Sequence, residues 1–287
     1  MKILVSALEH SANIHLKSLK KELSSSVEFI GIFDKELGES IIDLRSLAIM
    51  GFVDAIKKLL FFIKLNNQMV ELASDADKVL LIDSSGFNLP LAKKIKKKYP
   101  NKEIIYYILP QAWAWKKKRI PILEKTIDHL ASILPFERDY YSKNAPIEYV
   151  GHPLLDQISE FKESLRDEVK HIAFMPGSRR TEIKKLLPIF VELQKELGCN
   201  ATIIVPTHFS KEDIKELYGN IPSFKISHEA HKTLLEADFA FICSGTATLE
   251  AALIGIPFIL TYIAKPLDYF IASKLVKLNY IGLSNIM

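Results

Sequence analysis

Several features that mark common protein classes are scarce in this chain. The two cysteines among 287 residues, Cys199 and Cys243, form neither a disulfide framework nor the paired spacing of a zinc site. The chain has only 11 glycines and 13 prolines, which excludes collagen-like and low-complexity proteins. The longest nearly apolar stretch, 251–264, is broken by Gly255 and Pro257 and is shorter than the ~20 residues of a membrane-spanning helix. We therefore expect a globular protein.

The N-terminus and the scarcity of cysteine predict a cytoplasmic protein. Residues 1–8 contain one lysine and a short apolar run, without the apolar core or cleavage site of a signal peptide. The net charge of +4 is too small to indicate a nucleic-acid partner. The basic residues are nevertheless clustered in the first half of the chain, at 57–64, 93–98 and 116–119.

Short β-branched segments alternate with amphipathic ones, a pattern typical of parallel sheets flanked by helices. An acidic, helix-like segment, 154–169, separates two sets of predicted strands. The first set is 2–6, 27–33, 79–82, 103–109, 129–134 and 147–150, and the second is 171–175, 201–205, 224–226, 239–243 and 258–262. The predicted fold class is α/β, with two doubly wound Rossmann-like domains, 1–160 and 168–287, facing each other across a cleft.

The sequence motifs of several enzyme classes are missing. No glycine-rich dinucleotide fingerprint follows the first strand, and the chain has no P-loop, no HExxH and no Gly-x-Ser-x-Gly. NAD, P-loop nucleotide, zinc and α/β-hydrolase chemistry therefore lack their usual support. We expect neither a cofactor nor a bound metal ion.

Polar and aromatic clusters follow five strands of the first domain, at the edge where α/β sheets bind ligands. They are 9–13, 83–88, 110–115, 135–137 and 151–153. Together they predict a pocket lined by carboxylates, histidine and two indoles. Taken singly, Asp83 could equally be a helix N-cap and His152 a structural residue.

Two segments of the second domain have the composition of anion sites. The first is 175–180, where Gly177, Ser178 and Arg179 precede a helical stretch and combine backbone amides with a guanidinium. The second is 244–250, where small residues precede another helix and Glu250, expected in its first turn, could accept hydrogen bonds from ribose. The alternative for each segment is an ordinary capped helix.

The 51–64 segment has apolar residues at helical spacing beside lysines. This pattern is typical of helices that lie on anionic membrane surfaces. A buried core helix is the alternative.

Motifs along the whole chain resemble the lipid-A-disaccharide synthase family of inverting glycosyltransferases, whose fold is of the GT-B type. The motifs are 50–52, 82–84 with 87–88, 110–116, 134–137, 150–153, 176–179 with Glu182, and 244–250. The resemblance implies transfer of a sugar from UDP-2,3-diacylglucosamine to 2,3-diacylglucosamine 1-phosphate (lipid X), with release of UDP, in the lipid A (lipopolysaccharide) biosynthesis of a Gram-negative bacterium.

The resemblance also implies roles for individual residues. Asp83 and Glu9 are the expected catalytic pair, with Asp83 as the base. The acceptor-binding residues are Ser11, Asn13, Asn88, Trp113, Trp115 and His152. The UDP-binding residues are Gly177, Ser178, Arg179, Ser244, Gly245, Thr246, Thr248, Glu250 and Asn285. The enzyme is expected to work without a metal and to dock through 51–64 on the inner face of the cytoplasmic membrane, and a second copy of the chain is a further candidate partner.

The chain departs from the family pattern at several positions. Leu8 and Ala12 replace glycines, Asn13 replaces an aspartate, and Gly86 replaces a second aspartate of the Asp83 motif. The family continues beyond the last residues, 284–287, so the second domain is expected to be truncated. The alternatives are another UDP-sugar enzyme of the same fold, such as an epimerase or a lipid-linked glycan transferase, and an inactive nucleotide-binding fragment.

Overall fold

The computed structural model describes residues 1–42, 44, 55–264, 282 and 285. The chain divides into two compact units, Met1–Pro153 and Leu154–Met287. Each unit contains one sheet in which every strand pair is parallel. The predicted α/β fold class and both predicted sets of strands are therefore confirmed.

The first unit contains a six-stranded sheet in the order β2-β1-β3-β4-β5-β6. Its strands are β1 Lys2–Ser6, β2 Glu28–Ile32, β3 Lys78–Ile82, β4 Glu103–Tyr107, β5 His129–Ser132 and β6 Ile147–Tyr149. Its described helices are α1 His10–Glu22, α2 Ala55–Leu72, α3 Ser85–Lys98, α4 Ala112–Trp115 and α5 Ile120–Thr126.

Both faces of this sheet are covered by apolar side chains. Ile3 and Val5 of β1 belong to one buried cluster, and Leu4 belongs to another. In β3 the same alternation puts Leu80 in the first cluster and Leu81 in the second. Successive side chains of a strand point to opposite faces, so a sheet covered on both sides needs apolar residues at every position. This is why the strands are recognisable as short, almost continuous apolar segments.

The second unit contains a five-stranded sheet in the order β11-β10-β7-β8-β9. Its strands are β7 His171–Met175, β8 Asn200–Ile204, β9 Phe224–Ser227, β10 Phe239–Cys243 and β11 Phe258–Thr261. Its described helices are α6 Arg180–Leu197, α7 Lys211–Tyr218, α8 Ala230–Glu236 and α9 Thr246–Ile254. Here too the strand residues alternate between two buried clusters, Ile172 and Phe174 in one and Ala173 in the other.

The segment that follows the first unit is not the helix that its composition predicts. A single 3-10 turn, Pro153–Asp156, is followed by irregular chain as far as β7. Lys162 ties this chain to the second unit, because its backbone N–H donates to the carbonyl of Ile254 at 2.7 Å and its ammonium donates to the carbonyl of Leu235 at 2.6 Å. Such tertiary partners replace the hydrogen bonds of a helix. Residues 154–160 lie in the second unit, whereas the sequence assigned them to the first domain.

Candidate active site

The strand order of each sheet reverses at one place, and the loops of interest lie there. In the first sheet the reversal falls between β1 and β3, which pair directly, with Ser6 opposite Leu81. In the second it falls between β7 and β10, with Met175 opposite Ile242. Doubly wound sheets bind ligands beyond the carboxyl ends of the strands at such a switch point. The topology therefore brings the loop after β1 beside the loop after β3, and the loop after β7 beside the loop after β10.

Asp83, directly after β3, has a strained backbone. Both Asp83 and Ser84 have positive φ angles, 49° and 40°. Non-glycine residues in this region cost on the order of 1 kcal/mol each and occur preferentially at functional sites. Two buried side chains hold the strained peptide, because the Tyr106 hydroxyl donates to the Asp83 carbonyl at 2.5 Å and the Asn88 amide donates to it at 2.8 Å.

Asn88 has no exposed surface and uses its side chain within the protein. Its amide also donates to the carbonyl of Ile82 at 3.2 Å, and its carbonyl oxygen accepts from the Ser6 hydroxyl at 2.6 Å. This corrects the prediction that Asn88 contacts the acceptor. Asn88 joins β1 to β3 and fixes the peptide of Asp83.

The structure brings the two predicted catalytic carboxylates close together. Ser84 donates its hydroxyl to Glu9 Oε1 at 3.2 Å, which places Glu9 beside the Asp83 loop. Burial, and then the negative charge of Glu9, raise the pKa of Asp83, and the Ser84 backbone N–H opposes them. A carboxylate with a raised pKa is a stronger base at neutral pH than an ordinary aspartate.

In the loop after β1, Ser11 is exposed in the first turn of α1, but Asn13 is buried. The Asn13 amide donates to the carbonyls of Ala7 and Glu9 at 2.9 and 2.8 Å, and its oxygen accepts from the backbone N–H of Asp34 at 2.6 Å. Asn13 therefore shapes the loop that carries Glu9, and the prediction that it binds the acceptor directly is corrected.

Trp113 is also inside the unit, with 2% of its surface exposed. Its indole N–H donates to Glu137 Oε1 at 3.1 Å, and its ring packs edge-to-face on Phe136 with the centroids 4.9 Å apart. Burial raises the pKa of Glu137, whose other oxygen accepts from Ser132 at 2.5 Å. This cluster supports the rim and does not offer an indole face to a ligand, contrary to the prediction. The Trp115 side chain lies outside the described residues.

Two residues near these loops, His15 and Arg119, were not singled out by sequence reasoning. Burial, and then the charge of His15 on α1, lower the pKa of the half-buried His152. Arg119, noted only within a basic cluster, donates its guanidinium to the Ser85 hydroxyl at 2.7 Å. No local sequence pattern predicts the interaction of His15 with His152 or that of Arg119 with Ser85, since each joins residues far apart in the chain.

In the second unit, Gly177 makes the close turn between β7 and α6. Its φ is +113°, and a Cβ there would lie 2.6 Å from Glu182 Oε2. Glu182 accepts from the backbone N–H of Arg179 at 3.3 Å and from its guanidinium at 2.9 Å. Ser178 and Arg179 are exposed at the N-terminus of α6. The anion-site residues predicted here are thus grouped at one helix start.

The loop after β10 has a similar arrangement. Gly245 is exposed with open space around it, and Thr246 is exposed beside it at the start of α9. Thr248 is buried and donates its hydroxyl to the Gly245 carbonyl at 2.8 Å, so it braces the loop. Ser244 is half-buried, and its N–H donates to Thr261 O at 2.9 Å.

Glu250 is the fifth residue of α9, one turn further along than the sequence indicated. Burial raises its pKa, and the charge of His231 on α8 opposes that shift. Asn285 donates its backbone N–H to the Gly282 carbonyl at 3.1 Å. Because residues 265–281 lie outside the described part of the chain, the place of Asn285 beside these loops stays a prediction.

Solved structures with the same fold include UDP-sugar enzymes. UDP-GlcNAc 2-epimerase from Neisseria meningitidis bound to UDP-GlcNAc matches with a TM-score of 0.58 at 12% identity, over 100% of this chain and 89% of that one. MurG of Acinetobacter baumannii matches with a TM-score of 0.54 at 13% identity, over 95% of this chain and 83% of that one. These similarities establish the fold.

Relatives with much higher sequence identity establish the family. The lipid-A-disaccharide synthase of Helicobacter pylori (strain Shi470) is 54% identical over 99% of this chain and 79% of that protein. The lipid-A-disaccharide synthase of Campylobacter jejuni (strain RM1221) is 47% identical over 99% of this chain and 82% of that protein. The family model described as lipid-A-disaccharide synthetase matches residues 3–287. The chain therefore belongs to the lipid-A-disaccharide synthase family of glycosyltransferases.

Proposed function

We propose that this glycosyltransferase moves the sugar of UDP-2,3-diacylglucosamine to the primary hydroxyl of lipid X, with inversion at the anomeric carbon and release of UDP. The observation that carries the proposal is Asp83, a half-buried carboxylate with a raised pKa on a strained turn at the switch point of the first sheet. Membership of the family supplies the substrate class.

Asp83 acts as the general base. It takes the proton of the acceptor hydroxyl while the oxygen bonds to the anomeric carbon, and the bond to UDP breaks with its electron pair on the diphosphate. A base is most effective when its pKa approaches the working pH. Burial moves the pKa of Asp83 in that direction, and the neighbouring charge of Glu9 favours arrival of the proton.

The second unit binds the leaving UDP. The start of α6, an 18-residue helix, offers backbone N–H groups and the positive end of the helix dipole to the diphosphate. The Arg179 guanidinium, with 78% of its side-chain surface exposed, donates to Glu182 and has further N–H donors that can turn to the diphosphate. These groups neutralise the charge that develops on the diphosphate, so the proposed reaction needs no metal ion.

The loop after β10 holds the nucleoside. Open space at Gly245 allows a ligand to approach the backbone closely, and Ser244 and Thr246 offer hydroxyls beside it. Glu250, half-buried one turn into α9, accepts hydrogen bonds from the ribose hydroxyls. In the first unit, the exposed Ser11 and the half-buried His152 contact the acceptor.

The apolar face of α2 binds the membrane that carries both lipid substrates. Leu59 and Leu60 are each 61% exposed and Ile63 is 45% exposed, whereas Leu65 and Met69 of the same helix are buried in the core. Exposed leucines beside lysines are typical of helices at an anionic bilayer surface. None of the helices in the described ranges is long and apolar enough to cross a bilayer. We infer peripheral binding at the inner face of the cytoplasmic membrane; residues 51–54 of the predicted segment lie outside the described residues.

Vesicle cosedimentation tests this membrane contact. With vesicles containing phosphatidylglycerol, the double variant Leu59→Asp/Leu60→Asp should remain in the supernatant while the unmodified protein pellets. Ile189→Asp, at a 47% exposed position of α6, is the matched control and should pellet normally. Equal pelleting of the double variant would contradict the role of α2.

Disaccharide formation tests the reaction itself. The protein is mixed with both lipid substrates in detergent micelles without metal, and the product is measured by mass spectrometry. Asp83→Asn should lower kcat by roughly 100- to 10,000-fold while UDP binding is unchanged. Asp139→Asn, an exposed aspartate of the same unit, should keep full activity. UDP binding without product would favour a nucleotide-binding protein, and full activity of Asp83→Asn would remove Asp83 from the mechanism.

A further inference from the structure

Arg119 brings a positive charge to the loop of the proposed base. It ends the 3-10 turn Lys117–Arg119, directly before α5. Its guanidinium donates to the hydroxyl of Ser85 at 2.7 Å, a contact across 34 positions of sequence. Ser85 is the first residue of α3 and lies two positions after Asp83, so the Cα atoms of these two residues are at most about 7 Å apart.

The hydroxyl of Tyr106 provides a second indication that both charges lie close together. Burial, and then the charge of Asp83, raise the pKa of Tyr106, whereas the charge of Arg119 lowers it. The same hydroxyl donates to the Asp83 carbonyl. The charges of Arg119 and Asp83 thus both act on the hydroxyl of Tyr106.

Among the described residues, no carboxylate lies within the 4.0 Å of an ion pair with the half-buried Arg119. Three described arginines are paired with carboxylates, Arg166 with Asp238, Arg179 with Glu182, and Arg180 with Asp213 and Glu216. A guanidinium has five N–H donors in a planar fork that matches two oxygens of a phosphate. One donor of Arg119 is used by a neutral hydroxyl, which leaves the charge available for an anion.

The start of α3 leaves space for that anion. Gly86, the second residue of the helix, is exposed, and a Cβ built there would meet nothing within 4 Å. Ser84 does not cap the helix, because its hydroxyl donates to Glu9. An uncapped start of a 14-residue helix adds a favourable dipole to the charge of Arg119.

We propose that Arg119, together with the start of α3, binds the phosphate monoester of the acceptor sugar and thereby selects a phosphorylated acceptor. This inference rests on the proposed function. The phosphate is on carbon 1 and the attacking hydroxyl is on carbon 6, whose neighbour carbon 5 is joined to carbon 1 through the ring oxygen. The phosphate and the attacking hydroxyl are thus on neighbouring parts of one sugar ring, as Arg119 and the loop of Asp83 are neighbours through Ser85, and anchoring the phosphate places the hydroxyl at Asp83.

Kinetics with two acceptors test the assignment, using lipid X and the same diacylated sugar without its phosphate. Arg119→Gln should raise KM for lipid X by roughly 10- to 100-fold, the range expected for lost charged hydrogen bonds. Its kcat/KM for the acceptor without phosphate should stay within about twofold of the unmodified enzyme. An unchanged KM for the UDP-sugar shows that the anion is not the donor's diphosphate. Lys118→Gln removes the same charge at the adjacent exposed position and should keep the preference for lipid X.

Two further measurements keep the outcomes distinct. Arg119→Lys keeps the positive charge but loses the paired N–H donors of the guanidinium, and it should give a smaller rise in KM for lipid X. Thermal melting shows whether each variant folds. An equal loss on both acceptors, or no loss on lipid X, overturns the phosphate assignment while the proposed function stands. Failure of the unmodified protein to form disaccharide from either acceptor contradicts the proposed function. In that case, the binding of each lipid in micelles is measured instead. The phosphate assignment is upheld if Arg119→Gln abolishes a binding preference for lipid X, and it is rejected if the preference remains.

Discussion

Replacing Asn88 by alanine should destabilise the first unit strongly. Asn88 makes three hydrogen bonds in the interior, to Ser6, Ile82 and Asp83, at 2.6, 3.2 and 2.8 Å. A hydrogen bond contributes roughly 0.5–1.5 kcal/mol, and a buried group left without its partner costs more. We therefore expect the free energy of unfolding to fall by about 2–4 kcal/mol. Because two of these bonds fix the turn at Asp83, kcat should also fall.

Urea unfolding followed by tryptophan fluorescence measures this loss selectively. The chain has two tryptophans, Trp113 and Trp115, and both lie in the first unit, so the signal reports on that unit. Tyr106→Phe removes one hydrogen bond to the Asp83 carbonyl and should cost about 1 kcal/mol. Asn144→Ala, at an exposed asparagine of the same unit, should change stability by less than about 0.5 kcal/mol.

The result for Asn88→Ala can refute the reasoning in two ways. A loss of stability below about 1 kcal/mol would mean that water or a shifted side chain replaces the hydrogen bonds. A full loss of stability with unchanged kcat in the folded fraction would mean that the turn at Asp83 does not depend on Asn88.

Two other predictions concern the pH profile and the turn after β7. Since Asp83 must be deprotonated to act as a base, kcat/KM falls as pH drops through its pKa, which burial and the charge of Glu9 raise. Glu9→Gln should therefore move the acid limb to lower pH, while Glu22→Gln, at an exposed glutamate, should not; an unmoved limb in both would contradict the coupling. Gly177→Ala should destabilise the second unit by about 1–3 kcal/mol in thermal melts followed by circular dichroism, because of its positive φ and the 2.6 Å approach of its Cβ to a carboxylate oxygen. Gly198→Ala, also at positive φ but in open space, should cost less, and an equal cost would exclude the steric explanation.

The strands could be predicted because their signal is local. Each strand of a parallel sheet covered on both faces is a short apolar segment, and the observed bounds of β1, β7 and β10 match the predicted ones. The prediction of a helix over 154–169 was wrong, because composition does not show which tertiary contacts a segment will make. Lys162 of that segment binds carbonyls 73 and 92 positions away, and an irregular chain can be held in this way.

The sequence by itself determined the fold class, the order and location of the strands and the family, since these depend on local periodicity and on the order of motifs, although β4 and β5 each end two residues earlier than predicted. Only the tertiary structure decided what the residues at the strand ends do. It buried Asn88 and Trp113, which the sequence had assigned to the acceptor, and it placed Arg119 next to Ser85. Burial and contacts between distant residues depend on which strands are neighbours in the sheet. In this chain the pairing of β1 with β3 brings Glu9 to the loop of Asp83, and no local pattern contains that information.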